Sequence, residues 1–250
     1  MPLSGRVAIV TGSSRRIGRA IAAALARRGA AVMVHGKTSG AEAEAVAAGI
    51  RARGGSAASV LADVSTPDGA GYLAECTLAA FGHIDILVNN AAVRRRVPLE
   101  AMTYSEWRDV TSIILDGAFL CATAVLPAIK ASGHGRIINI GGAASFTGSA
   151  HHAHVVAAKA GLVGLTRALA HDLGAFGVTC NLVSPGLIET PDDDPKRVAE
   201  RRSNVPLDKI PVGRVGVPAD IAEAVATLAG DEFAYMTGQT VHLNGGLYMG

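Results

Sequence analysis

Seven short runs rich in β-branched residues alternate with longer alanine-rich stretches of helical period, and this alternation leaves few architectures open. The runs are Arg6 to Val10, Ala31 to Val34, Ser59 to Ala62, Ile84 to Val88, Arg136 to Ile140, Val178 to Val183 and Thr240 to Leu243. Strands joined through helices pair in parallel and carry helices on both faces of the sheet. The first helical stretch illustrates the pattern: Ile17, Ile21, Ala24 and Leu25 fall on one face, and Arg19, Arg27 and Arg28 are left for solvent. Gly29 then ends it, as a C-terminal glycine should. A length of 250 residues supports one sizeable core, and no linker, repeat or low-complexity block divides the chain. Residues 1–250 therefore read as one α/β domain built on a doubly wound parallel sheet of about seven strands.

Composition narrows the function classes. Hydrophobic residues make up 49% and charged residues 18%, which excludes disorder. The formal charge of +2, from 23 basic and 21 acidic residues, gives no field to gather nucleic acid. No run of consecutive apolar residues reaches a membrane span, and the N-terminus enters a strand directly, so neither anchor nor signal peptide is expected. Cys76, Cys121 and Cys180 are spaced for neither a metal knuckle nor a disulfide framework. Three reduced thiols in a cytoplasmic protein, with no metal site, is the expectation.

The first strand runs into Thr11-Gly12-Ser13-Ser14-Arg15-Arg16-Ile17-Gly18, which opens a helix. Such a turn lets backbone N–H groups and a helix N-terminus approach a pyrophosphate. Asp63-Val64 follows the third strand, Asn89-Asn90-Ala91-Ala92 the fourth and Pro185-Gly186-Leu187-Ile188-Glu189-Thr190 the sixth, and Lys159 sits at a helix entry. Together these motifs, spread over nearly the whole chain, resemble the short-chain dehydrogenase/reductase family and its Rossmann fold. Arg16, where the family has its middle glycine, is similar to the pteridine reductase branch.

The resemblance implies that Gly12, Ser14, Arg15, Ile17 and Gly18 hold a pyrophosphate, Asp63 and Val64 the adenine, and Asn90 the adenosine-side ribose and the backbone. It places Pro185, Gly186, Ile188 and Thr190 beside the nicotinamide half, with Lys159 on the ribose hydroxyls. The second strand ends in Val34-His35-Gly36-Lys37-Thr38-Ser39 without an acid, while Arg15, Lys37, Thr38 and Ser39 can surround a 2′-phosphate. NADP(H) is thus favoured over NAD(H), with Arg15 and Lys37 as ordinary solvated charges the other reading.

The same resemblance implies a gap in the catalytic set. Counting from Lys159, the Tyr position is Val155, the Ser position is Gly142 and the helix Asn position is Ile114. Val155 and Gly142 have no proton to donate to a carbonyl. His151, His152 and His154 precede the vacant position and suit proton transfer, with His152 and His154 as the catalytic candidates and His151 beside the substrate; a polar turn is the alternative. Arg94-Arg95-Arg96 follows the Asn motif at the expected substrate mouth. Arg94 reads as the inward anion-binding group, and a solvated turn paired with Asp192, Asp193 and Asp194 is the equal alternative. Asp116 either touches the pocket or pairs with a nearby arginine. Residues 186–217, carrying Pro191, Pro195, Pro206 and Pro211, are read as a substrate-side lid.

An NADP(H)-dependent oxidoreductase with an atypical site, in which Lys159 and a loop histidine or water act in place of the Tyr on a small carbonyl or imine substrate with anionic character, is the expectation. A histidine-driven lyase or isomerase and a catalytically silent dinucleotide-binding subunit are the alternatives. Small residues Ala157, Ala160, Gly161, Gly164 and Ala168 on one helix, with the family resemblance, imply a homodimer or homotetramer.

Overall fold

Each predicted run forms a strand: β1 (Val7–Val10), β2 (Ala31–Gly36), β3 (Ala57–Leu61), β4 (Ile86–Asn89), β5 (Arg136–Ile140), β6 (Thr179–Pro185) and β7 (Thr240–Leu243). The computed structural model describes residues 1–190 and 207–250. The strands form one parallel sheet in the order β3-β2-β1-β4-β5-β6-β7. The order reverses between β1 and β4, and open α/β sheets bind ligands beyond the carboxyl ends at such a point. β2 and β6 run two residues past their apolar cores, through His35-Gly36 and Ser184-Pro185.

Helices α1 (Arg16–Arg27), α2 (Gly40–Arg51), α3 (Pro67–Phe81), α4 (Tyr104–Thr111), α5 (Gly117–Ala131), α6 (Ala144–Thr147), α7 (Ala153–Leu173) and α8 (Pro218–Leu228) complete the fold. Neighbouring strand residues face opposite sides, so Val10, Val34 and Val183 pack with Ile21, Leu25 and Val225 of α1 and α8. On the other face Ile9, Leu87 and Ile137 pack with Leu73, Val125, Ile129 and Leu173 of α3, α5 and α7. Burial on both faces explains why the strands read as continuous apolar runs.

Arg28 corrects the expected solvent face of the first helix. Its guanidinium donates to the Ala226 carbonyl at 3.3 Å and to Thr227 Oγ1 at 2.6 Å, tying α1 to the end of α8. By length and composition the continuous helical stretches Tyr104–Ala131 and Ala153–Phe176 are long and apolar enough to cross a membrane. Both supply core residues to the sheet, α5 through Val125 and Ile129 and α7 through Ala170 and Leu173, as core helices do.

A buried amide ladder fixes α7 over the sheet. Asn89 Nδ2 donates to Asn139 Oδ1 at 2.9 Å, and Asn139 Nδ2 donates to Thr166 Oγ1 at 2.9 Å. Burial pushes the Cys121 and Cys180 thiols up to about 12, so both remain protonated and unreactive.

Much of the expected lid, with Pro191, Pro195, Pro206 and Asp192–Asp194, lies outside the described residues. Its two ends are joined: Glu189 N donates to the Gly216 carbonyl at 3.0 Å, and Gly216 N to that of Leu187 at 2.9 Å. Arg214 forks onto Asp220 at 2.8 and 2.9 Å and fixes the exit into α8.

Candidate functional site

The turn between β1 and α1 sits at the topological switch and is built by close backbone approach. Gly12 has φ +62°, and a Cβ there would lie 2.9 Å from Ala91 Cα. A Cβ on Gly18 would collide with the Gly12 carbonyl and come 2.6 Å from Asn90 Nδ2. Asn90 Nδ2 donates to the carbonyls of Thr11 and Gly12 at 2.9 and 3.0 Å, while Thr11 Oγ1 accepts from the N–H groups of Asn90 and Ala91 at 2.9 and 3.0 Å. Asn90 therefore clamps the turn to β4, the backbone half of its expected role.

Arg15 stands at the N-cap of α1 in extended conformation and makes no side-chain cap bond, and the first turn of the helix holds no acid. The start of α1 thus carries neither a side-chain cap from Arg15 nor an acid of its own, with Ser14 buried beside it. This cradle, which a Cβ at Gly12 or Gly18 would fill, fits a dinucleotide pyrophosphate. Arg16 follows at φ +52°, a left-handed conformation that costs a non-glycine residue roughly 1 kcal/mol.

Across the switch, Lys37 and Asp63 meet. Lys37 Nζ lies 2.6 Å from Asp63 Oδ2. Burial opposes the Asp63 charge, but the Lys37 ammonium and the hydroxyl and N–H of Ser65 hold its carboxyl below the usual range. Lys37 was expected around a phosphate and Asp63 against a base; they are ion-paired here, with Val64 buried beside them and Thr38 exposed. At the end of β6, Pro185 is buried, and a Cβ on Gly186 would come 2.7 Å from Asn244 Cα. Ile188 packs into the core below, and Thr190 is the last residue described before the gap.

Lys159, on the second turn of α7, reaches the carboxyl end of β5. Its Nζ donates to the carbonyls of Ile140 and Gly141, both at 2.8 Å. Burial and the charge of Arg94 push the ammonium down to about 7. Burial and then Arg94 also lower His152, so its imidazole is neutral near pH 7. Its Nδ1 lies 3.0 Å from both Ser149 Oγ and the Ala150 carbonyl.

The structure thus brings Lys159, Arg94 and His152 into one electrostatic neighbourhood. His154 also bears weakly on His152, but its side-chain contacts run elsewhere. It is buried, its Nδ1 accepts from Val155 N at 3.0 Å, and its Nε2 lies 3.6 Å from Glu106 Oε1 of α4. His151 is exposed at φ +63°, and its carbonyl accepts from Val97 N at 2.8 Å, tying the arginine loop to the entry of α7. Arg95 turns to Glu106 and Asp109 at 2.8 and 3.4 Å, and Asp116 pairs with Arg108 at 2.8 Å, its plainer expected role.

Val155 and Ile114 are buried in one apolar cluster with Val110, Ala118, Ala158, Leu162 and Leu182. Ile114 lies in a π-helical turn, Ser112–Asp116, that joins α4 to α5. Such turns recur at functional sites.

The family model described as enoyl-(acyl carrier protein) reductase matches residues 12–248. The chain is 41% identical over 249 residues to the 3-oxoacyl-[acyl-carrier-protein] reductase FabG of Escherichia coli strain K12, with all of both chains covered. It is 39% identical over 242 residues to FabG of Staphylococcus aureus strain Mu50, covering 97% of this chain and 98% of the relative. A solved structure described as a short-chain alcohol dehydrogenase from Sinorhizobium meliloti 1021 superposes with a TM-score of 0.93 at 34% identity, covering 98% of this chain and 97% of that one. The chain belongs to the short-chain dehydrogenase/reductase family.

Within this site, sequence reasoning missed two groups that hold it together. His35, at the end of β2, and Asn139, inside β5, are buried polar residues in apolar runs. A polar residue inside such a run must find a partner, and that was the available signal. The tight approach at Gly18 also gives a direct test. Gly18→Ala is expected to cost about 1–3 kcal/mol of stability by overpacking the turn; an unchanged urea midpoint would contradict the contact geometry.

Proposed function

We propose that the chain is an NADP(H)-dependent oxidoreductase that reduces a carbonyl or imine in a small anionic substrate, with Lys159 handling the proton in place of a tyrosine. The observation that carries this reading is the Lys159 ammonium, held by two carbonyls and lowered to about 7 beside Arg94. A reduced nicotinamide would supply the hydride. Lys159 keeps one N–H beyond its two carbonyl bonds, and an acid with a pKa near the working pH is well matched to proton donation. Arg94 suits a substrate carboxylate or phosphate by charge, and neutral His152 beside it can accept or relay a proton. Val155 and Ile114 take the expected Tyr and Asn positions in an apolar cluster, and such surroundings disfavour the charged form of a nearby lysine.

For the coenzyme, the reading rests on Arg15, Lys37 and Thr38 with no acid at the end of β2. The Lys37–Asp63 pair is exposed on the lysine side, so its net strength is small and Lys37 can turn to a 2′-phosphate. The expected result of combining Arg15→Ala with Lys37→Glu is at least roughly tenfold weaker NADPH binding, with NADH changed less than about threefold. Equal losses for both coenzymes, by fluorescence titration, would remove the NADP preference.

The enzymes named among the relatives are reductases, which favours this reading over a lyase or isomerase and over a silent subunit. The likeness to pteridine reductases is confined to Arg16 and adds nothing about substrate. Ala157, Ala160, Gly164 and Ala168 are exposed along α7, close to a surface cleft of about 530 Å³ lined by Phe119, Leu120 and Leu165. This apolar face supports a homodimer or homotetramer. A cytoplasmic location is retained as part of the same reading.

A further inference from the structure

His35 is almost fully buried at the end of β2, where it joins the two halves of the adenosine side. Its Nδ1 accepts the Gly12 N–H at 3.0 Å, and its Nε2 lies 3.0 Å from the Ala62 carbonyl. A carbonyl can only accept, so Nε2 carries the proton and Nδ1 is bare. The backbone reinforces the link: His35 N donates to Ser13 Oγ at 2.9 Å, Ser13 N donates to the His35 carbonyl at 2.8 Å, and Ser13 Oγ donates to the Val10 carbonyl at 2.6 Å. One imidazole therefore spans from the glycine-rich turn to the residue preceding Asp63.

We infer that His35 is a positioning residue for the dinucleotide, holding the Gly12 turn against the adenine wall as the neutral Nε2–H tautomer and releasing it when protonated. The inference rests on the dinucleotide reading above. A proton on Nδ1 would face the Gly12 N–H, two donors with no acceptor between them. Burial lowers the pKa of His35, opposed by the bond to Ala62 and the charge of Asp63. The charged groups nearby are Asp63 after β3, Lys37 on the segment after β2 and paired with Asp63, and the exposed Arg15 and Arg16 of the turn. Because the folded value lies below the free one, the contact is intact above the ordinary imidazole pKa of about 6.5 and is lost as pH falls through the folded value.

The test measures NADP⁺ binding by calorimetry from about pH 7.5 downward, over the range in which the fold persists, for the wild type, His35→Asn and His35→Phe. Asn keeps an acceptor near the Nδ1 position but does not titrate; Phe offers none. As pH falls through the folded His35 value the wild type should lose affinity that His35→Asn keeps, and His35→Phe should bind weakly throughout. Protonation of NADP⁺ itself is common to all three and cancels in the comparison. A ¹⁵N spectrum of the cofactor-free protein reads the tautomer independently of any variant's folding. Parallel losses in wild type and His35→Asn, or an Nδ1–H tautomer, would overturn the inference. Failure of the wild type to bind NADP⁺ at pH 7.5 would instead overturn the dinucleotide reading, and this inference with it.

Discussion

Combining Val155→Tyr with Gly142→Ser is expected to raise NADPH-driven carbonyl reduction by about 10²- to 10⁴-fold, the usual contribution of a positioned acid. The backbone accepts both changes in principle. A Cβ on Gly142 would meet Lys159 Cδ at 3.6 Å, an ordinary contact, so serine enters without displacing the lysine. Val155 is buried in the cluster that includes Ile114 and Leu182, and a larger ring there costs about 1–3 kcal/mol of stability unless it turns toward Lys159. The effect is read as kcat with a 3-oxoacyl thioester, the substrate class named for the FabG relatives. No gain in a folded double variant would mean that proton donation is not what limits this site.

Lys159→Ala is expected to lower kcat by at least about a hundredfold while the fold survives. The Nζ makes two carbonyl bonds and is the titrating group best placed beneath the substrate side, so its loss removes the donor and leaves the carbonyls of Ile140 and Gly141 without it. Steady-state kinetics separates the outcomes: a fall in kcat supports proton transfer, whereas a rise in KM alone would make Lys159 a binding group.

Much of the fold was legible because its signals are local. All seven strands and the core face of α1 follow from residue period, since burial on both sheet faces leaves apolar runs that can be read one by one. The glycine-rich turn was legible for the same reason, with Gly12 and Gly18 at positions where a Cβ has no room. What escaped was set by partners distant in sequence. Arg28 reads as a solvent residue until Thr227 is folded against it, and the pairing of Lys37 with Asp63, 26 positions on, is likewise invisible along the chain. His152 and His154 look alike in sequence, but His152 is the non-helical N-cap of α7 beside the arginine loop, whereas His154 lies inside the first turn and is buried toward Glu106.

In the proposed reaction Lys159, without a tyrosine, supplies the proton. The pH dependence of kcat for NADPH oxidation tests it most directly. Only the ammonium can donate, so the rate should be high below the Lys159 pKa of about 7 and fall as pH rises through it. In Val155→Tyr with Gly142→Ser the fall should move to higher pH, toward the tyrosine range. A wild-type rate that stays level between about pH 6 and 9, or that rises across that span, would contradict the account.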